Sequence, residues 1–369
     1  MGSVFKRGRH WQIRFDAPGP DGRGRQKQQS CGDMTKKQAE ALLHRRMEEV
    51  RSGSYVDSSD QSFGDYLIQW LDCVAPTIAE TTWRNYDCNI RNHVIPVLGS
   101  IRLQAVNPMT LQSFYDKLGR SALSAKTVRN IHGIIHRSLE QAVRVHMIQS
   151  NPAEYLQLPR AISPEIKTVS PTAIRRILDA AEGTHYHAPI LIAAATGMRM
   201  GEVLGLQWTD FQPGDPSFDG RDQEIPATLT VRRSLAQIPG RVFIKETKTR
   251  RSRVVAIPPI LRDRLIKEQR FSNSIFICAH RSGKRLTPHA LDGGFRRICQ
   301  RLGIEATMHG LRHTWATEQL AAGAPINVVS EALGHSTPQT TLRVYAHVLP
   351  HSQRETARVM QRLLETPSR

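Results

Sequence analysis

The sequence predicts a multidomain chain, mainly α with small β-sheets: an N-terminal three-stranded sheet plus helix, a helical domain, and an α+β domain. Three observations predict this. At 369 residues the chain is too long for one core and divides into two or three domains. Strand-like alternation of apolar and polar residues is confined to residues 4–29 and 227–257. Elsewhere the apolar positions recur at helical spacing. Lys+Arg is 51 against Asp+Glu 33, a formal net charge of +18, which is the electrostatic footprint of a nucleic-acid binder. No apolar run approaches the ~20 residues of a membrane span, and no hydrophobic signal segment follows Met1. Cys31, Cys73, Cys88, Cys278 and Cys299 are odd in number, scattered and without C-x-x-C pairing. They read as reduced thiols, with neither a disulfide framework nor a zinc site.

Residues 1–57 form a small basic module. Val4-Phe5-Lys6 and Trp11 to Phe15 alternate as half-buried strands, and a turn region from Pro18 to Gly24 precedes a basic stretch to Gln29 that reads as a third strand. Thr35 is the expected N-cap of a helix through Val50, with Ala39, Leu42, Leu43 and Met47 on its apolar stripe. Lys6, Arg7, Arg9, Arg14, Arg23, Arg25 and Lys27 supply the charge; a merely solvated basic surface would have the same composition.

Residues 61–158 read as helical throughout. Phe63, Tyr66, Leu67, Trp70 and Leu71 fall at i, i+3, i+4, i+7 and i+8. Trp83, Tyr86 and Ile90 make a second stripe, ended by Pro96 and Gly99, and Leu111, Phe114, Tyr115 and Leu118 a third. Ser124 caps a long fourth helix bearing Val128, Ile131, Ile135, Leu139, Ala142 and Val143. The aromatic stripe is core rather than a platform for bases. Arg84, Arg91, Lys126 and Arg129 lie between the stripes, and Lys126 and Arg129, near a helix start, suit phosphate.

Residues 158–169 carry two prolines and little periodicity, as a linker does, and set a boundary near 160–168. The third domain, 169–369, opens with Ser170 as N-cap and Pro171 at the first helical position. An apolar helix from Ala188 to Ala195 ends at Thr196-Gly197, and Arg199 starts the next. Leu229 and Val231, then Val242 and Ile244, then Val254, Val255 and Ile257 alternate as strands. The last two flank the basic stretch K-E-T-K-T-R-R-S-R, read as a hairpin: Arg241, Lys245, Lys248, Arg250, Arg251 and Arg253 stand against the single acid Glu246. Thr287-Pro288 starts a helix with Leu291, Phe295, Ile298 and Leu302, and a last helix spans Ser352 to Leu364.

The stretch Thr307 to His347 carries the chemistry. His309 and Arg312 share one face at i,i+3 near a helix N-terminus, where free N–H groups and the dipole favour an anion. Gly323 and Pro325 break the chain, a short helix stops at Gly334 beside His335, and Pro338 opens a third helix that carries Tyr345. Three helices thereby bring His, Arg, His and Tyr toward one phosphate. His309 and His313 also have the i,i+4 spacing of a zinc pair, but Gly310 stands where the metalloprotease glutamate would be.

H-x-x-R, then L-G-H, then a tyrosine ten residues after that histidine, within T-T-L-x-x-Y-x-H, closely resembles box II of the tyrosine recombinases, the phage integrases. T-G-M-R-M-G-E resembles the family's box I, and K-T-x-x-S-R its β-hairpin. The resemblance implies an arm-type DNA-binding domain at 1–57, a helical SAM-like core-binding domain at 61–158 and a tyrosine-recombinase catalytic domain at 169–369. It implies Arg199, Lys248, His309, Arg312, His335 and Tyr345 as the catalytic set, with Tyr345 the nucleophile and Glu202 in support. Lys245 is a near alternative to Lys248. Expected DNA contacts are Lys6, Arg7, Arg9, Arg14, Arg25, Lys27, Arg84, Lys126, Arg129, Lys245, Arg250 and Arg251.

The expected reaction cuts and rejoins DNA strands through a 3′-phosphotyrosine, integrating or excising a mobile element. Two arginine forks stabilise the phosphorane charge, Lys248 protonates the departing 5′ hydroxyl, and the phosphotyrosine ester conserves the bond energy, so no metal, ATP or other cofactor is expected. Expected partners are double-stranded DNA attachment sites, a homotetramer on that DNA and an accessory bending or directionality factor, in a bacterial or phage-encoded, cytoplasmic and nucleoid-associated setting, with no membrane. The rival readings are a type IB topoisomerase-like enzyme, against which the arm-like module argues, and a non-catalytic DNA-binding regulator, which has no reason to keep the six residues together.

Overall fold

The structure, a computed structural model, describes residues 2–18, 24–160, 167–215, 225–246, 252–346 and the positions Gln361 and Leu364. It separates into two compact units, Met1–Ser163 and Pro164–Arg369.

In the first unit, strands β1 (Ser3–Arg7), β2 (His10–Pro18) and β3 (Gly24–Ser30) form an antiparallel sheet in that order. Side chains alternate between faces. Ile13, Phe15 and Ala17 of β2 are buried and form a small core with Ala39 and Leu43 of helix α1 (Lys36–Arg51). Thr35 caps α1 through a reciprocal capping box: its hydroxyl accepts the Gln38 N–H, and the Gln38 side chain accepts the Thr35 N–H at 2.8 Å. The apolar stripe is narrower than expected, since Met47 is exposed.

The helical part follows as α2 (Phe63–Val74), α3 (Glu80–Asn89), α4 (Ile95–Leu98), α5 (Pro108–Gly119) and α6 (Ala125–Arg144). Between α3 and α4 the chain makes a π-helical turn, Ile90–Val94, in which the Ile95 N–H reaches back to the Ile90 carbonyl. Pro96 is the physical reason: it has no N–H to give and its ring crowds the preceding turn, so the ladder loosens there. Phe63, Tyr66 and Trp70 are buried with Ile131, Ile135 and Leu139, so the aromatic stripe is core. Ser62, Asn107 and Ser124 cap α2, α5 and α6 with their side chains.

The second unit opens with α7 (Pro171–Ala181), capped by Ser170, then α8 (His187–Thr196) and α9 (Met200–Gly205). Strands β4 (Phe211–Gln212), β5 (Thr228–Val231), β6 (Arg233–Ile238), β7 (Arg241–Glu246) and β8 (Arg253–Ala256) follow. They make two antiparallel sheets, β4-β5-β8 and β6-β7. This corrects the expected hairpin across the basic stretch, because among the described residues β7 pairs with β6 and β8 with β5. Pro239 and Gly240 (φ +76°) suit a type II turn that folds β6 onto β7. β8 instead joins β5, where Leu229, Val231 and Val255 enter the main core with Ile190, Val203 and Leu204. Helices α10 (Pro259–Gln269) and α11 (Pro288–Leu302) complete that core.

Helices α12 (Met308–Ala321), α13 (Ile326–Leu333) and α14 (Pro338–Tyr345) form a satellite cluster through Ala316, Leu320, Val329, Leu333 and Tyr345. The expected terminal helix, Ser352 to Leu364, falls almost entirely outside the described residues. Among the described residues no helix is long and apolar enough to cross a membrane.

Candidate active site

Two helix C-termini build the site. α8 ends at Gly197 (φ +64°) and α13 at Gly334 (φ +67°), both in the left-handed conformation that glycine adopts without steric cost. A side chain could not replace either hydrogen: a Cβ on Gly197 would stand 2.6 Å from Trp315, and one on Gly334 2.7 Å from Arg253. The last carbonyls of a helix lack intrahelical partners and carry its negative dipole end, so they attract cations.

Three arginines meet them. Arg312, on α12 and only 3% exposed, gives Nη1 to the Gly197 carbonyl at 2.8 Å and Nη2 to the Leu333 carbonyl at 2.9 Å. Arg253, on β8, gives Nε to the Ala332 carbonyl at 2.8 Å. Arg199, the residue before α9, makes longer contacts to Leu333 and Gly334, both at 3.4 Å, and its side chain stays 41% exposed.

Glu202 is the counter-charge. Its buried carboxylate accepts Arg199 Nη1 at 2.9 Å, the Arg199 backbone N–H at 3.0 Å and Arg253 Nη2 at 2.7 Å. Burial pushes the carboxyl pKa up, but the bond and charge of Arg253, then those of Arg199, hold it below the usual value. Three guanidiniums around one carboxylate leave the corner electropositive. Arg312 accordingly has its pKa lowered to about 10, by burial first and by Arg199 second. It remains protonated at neutral pH, and an arriving anion relieves the excess charge.

His335 follows Gly334. Its Nε2 lies 3.0 Å from Arg312 Nη2, and because a guanidinium only donates, Nε2 must accept. The proton is therefore on Nδ1, which donates to Thr341 Oγ1 at 2.8 Å. Burial, then the charge of Arg312, lowers the pKa to about 4, so this imidazole is neutral. His309 stands at the start of α12, where Thr307 caps the helix by accepting the Gly310 N–H. Protein packed around His309, then Arg312 and Arg199, holds its pKa below the usual value.

Tyr345 closes α14. It is 2% exposed, and its hydroxyl lies 2.7 Å from Nδ1 of His313. Burial raises the phenol pKa, against a smaller lowering by Arg312. The rings of His309 and His313 meet edge-on at 4.6 Å, and the described residues contain no group of three or more His, Cys, Asp or Glu placed to hold a metal.

Of the six residues expected to react, Arg199 and Arg312 share the Leu333 carbonyl, Arg312 touches His335, His309 adjoins them on α12, and Tyr345 reaches the same helix one residue beyond Arg312. Lys248 lies outside the described residues, as do Arg23, Arg250 and Arg251. Lys245 is on β7, paired with Ser234. Sequence reasoning missed two members of the corner. Arg253 was visible only as the last basic residue of K-T-x-x-S-R, and His313 only as half of a zinc pair. The signal for His313 was the shared face of His309, Arg312 and His313 at i, i+3 and i+4.

The expected DNA contacts divide. Strand alternation puts Arg14 on the open face of the sheet, where its guanidinium stacks 4.9 Å from the Phe5 ring. Lys27 and Arg25 pair with Phe15 and Ala17 and so belong to the α1 side, and Lys27 is bound to Asp57 at 2.7 Å. Lys6 lies 5.9 Å from the Trp11 ring, and Arg7 and Arg9 are exposed. Arg84 and Lys126 are exposed on α3 and α6, whereas Arg129 Nε is tied to the Pro159 carbonyl at 2.9 Å.

Residues 227–352 match the phage integrase family, and residues 62–119 match the phage integrase N-terminal SAM-like domain. A "tyrosine recombinase XerC-like" protein of Caldanaerobacter subterraneus subsp. tengcongensis is 29% identical over 341 residues, covering 86% of this chain and 87% of its own. The Tn1549 transposon integrase, solved in complex with transposon right end DNA, superposes with a TM-score of 0.68 at 20% identity, over 83% of this chain and 100% of that one. A lambda integrase tetramer bound to a Holliday junction gives 0.60 at 15% identity, over 91% and 96%. At these identities the two structures speak for the fold.

Proposed function

We infer that this chain, which belongs to the phage integrase family of tyrosine recombinases, is a site-specific recombinase that cuts and rejoins DNA to integrate a mobile element. The observation that carries the reading is the convergence of Arg199, Arg312 and His335 on the ends of α8 and α13, with Tyr345 joined to the same α12 face.

In the proposed reaction the scissile phosphate enters beside Arg199, whose long 3.4 Å contacts are the ones most easily exchanged for phosphate oxygens. Arg312 is fixed by two carbonyls and meets developing phosphorane charge without reorganising. Phosphate charge raises the His335 pKa, so that Nε2 takes up a proton and donates to a non-bridging oxygen. Tyr345 Oη bonds to phosphorus, the bond to the 5′ oxygen breaks, and that oxygen takes its proton from Lys248. The 3′-phosphotyrosine is then attacked by the 5′ hydroxyl of a partner strand, which restores the tyrosine. Glu202 acts by holding Arg199 and Arg253.

For the rest of the chain we propose three domains: an arm-type DNA-binding module at 1–57, a core-binding domain at 61–158 and the catalytic domain at 169–369. The proposed assembly is a homotetramer on two DNA sites, with an accessory bending or directionality factor. The test is covalent trapping on a pool of nicked fragments from the source genome. SDS-stable adducts enriched for particular fragments are expected from the wild-type chain and none from Tyr345→Phe. An adduct that survives Tyr345→Phe overturns the nucleophile assignment.

A further inference from the structure

The proton on Tyr345 has no acceptor among the residues assigned so far. His335 is engaged at both ring nitrogens, by Arg312 and by Thr341. His309 reaches the phenol only through the edge of another imidazole. The group that touches Oη is His313 Nδ1, at 2.7 Å, with the two rings 5.8 Å apart. His313 follows Arg312 on α12 and faces His309 and Arg312 from its own helix and Tyr345 from α14.

Resting on the reading of Tyr345 as nucleophile, we propose that His313 is a further catalytic residue that holds the phenol in place and accepts its proton during attack on phosphorus. The Oη–H bond gives way to Oη–P while the proton moves to Nδ1. The P–O5′ bond breaks, and O5′ is protonated by the general acid. In rejoining, the incoming 5′ hydroxyl gives its proton back to the general acid as it forms P–O5′, Oη–P breaks, and the His313 imidazolium returns its proton to Oη.

The surroundings agree with this assignment. Burial first, then His309 and Arg312, lowers the His313 pKa to about 4, so the imidazole is neutral at neutral pH, and in its Nε2–H tautomer Nδ1 accepts from the phenol. A phosphate seated against Arg312 offsets that positive charge and raises the basicity of His313 as the reaction begins. The buried phenol, whose own pKa is raised, needs such an acceptor, because it does not ionise in bulk solvent at neutral pH.

The experiment is single-turnover cleavage of a nicked attachment site between pH 6 and 8.5 by the full chain. Three proteins are compared: wild type, His313→Asn, which keeps an acceptor near Nδ1 but takes up no proton, and Tyr345→Phe. DNA affinity and thermal melting are measured on each. The expected loss for His313→Asn is about 10²–10⁴-fold in rate at unchanged DNA affinity. Its rate should rise about tenfold per pH unit, as hydroxide replaces the missing base, against a nearly flat wild-type profile.

A wild-type rate and profile in His313→Asn, with no adduct from Tyr345→Phe, overturns the role of His313 and leaves the nucleophile standing. An adduct from Tyr345→Phe instead sinks the nucleophile reading itself. Should His313→Asn melt early, ¹⁵N-histidine spectra of wild type against Tyr345→Phe decide: one imidazole nitrogen must shift when the phenol is removed, and no shift overturns the contact.

Discussion

The arginine corner and the amino-terminal sheet are both strongly basic, yet they hold that charge in opposite ways. In the corner, Arg312 and Arg253 are fixed by carbonyls at the ends of α8 and α13 and by the buried carboxylate of Glu202. On the sheet, the basic residues alternate between faces, Arg14 leaning on Phe5 and Lys27 spent on Asp57. Fixed donors suit a transition state whose charge appears at one point, since they need not reorganise as it forms. Exposed donors suit a phosphate backbone that offers many equivalent oxygens, and they act through counterion release. Net charge alone does not separate the two regions; the partners of each cation do.

The contrast breaks first at Arg312. Arg312→Lys keeps the charge but loses the fork that spans Gly197 and Leu333. The expected result is a ~10²–10³-fold fall in single-turnover cleavage with DNA affinity close to wild type. A loss in affinity as large as the loss in rate would mean that Arg312 is a binding residue like those on the sheet.

Glu202→Gln tests the other half of the corner. Removing one partner of a buried ion cluster costs about 3–5 kcal/mol, read as a lower urea midpoint, because Arg253 and Arg199 lose their counter-charge. The pH dependence has a definite sign. Glu202 is held below its usual pKa, so the stability it gives is complete above the ordinary glutamate value and is lost as pH falls through its lower folded value. His313 and His335, held near 4, act earlier. Between about pH 6.5 and 4 the unfolded imidazoles bind protons that the folded ones refuse, so stability falls across that window as the solution is acidified. Denaturant midpoints at several pH values should show both phases in the wild type and only the histidine phase in Glu202→Gln.

The smallest effect belongs to the sheet. Arg14→Ala should leave cleavage of a short core site unchanged, weaken binding to arm-length DNA, and lower the salt slope of that binding by about 1. Lys27→Ala, whose partner is Asp57, should change the slope less. Equal slopes for the two would mean that the face a residue occupies does not decide its contact.

Sequence and structure agree best where the physics is local. Thr35, Ser124, Ser170 and Thr287 announce helix starts because an N-cap needs only a side-chain oxygen and the next turn. The expected stops at Gly197 and Gly334 follow from backbone conformation in the same way. Strand partners are not local, and the exchange of the expected hairpin for β6-β7 and β5-β8 depended on a distant strand. β6 escaped notice because its buried residues Leu235, Ala236 and Ile238 break strict alternation, and α10 because only Leu261 and Leu265 are fully buried while Ile260 is exposed.

The site divides along the same line. His309, Arg312, His335 and Tyr345 could be read from one stretch of chain. The Arg253–Glu202 pair and the His313–Tyr345 contact join positions 51 and 32 residues apart, and no spacing rule reaches across either gap.

Attack of Tyr345 on phosphorus beside the arginine corner is tested by locating the adduct itself. The wild-type chain is trapped on a nicked site, digested with nuclease and protease, and the nucleotide-bearing peptide is sequenced by mass spectrometry. The expected result is a single modified residue, Tyr345, joined to a 3′ nucleotide. A nucleotide on any other side chain, such as a serine or another tyrosine, or attachment through a 5′ phosphate, would contradict it.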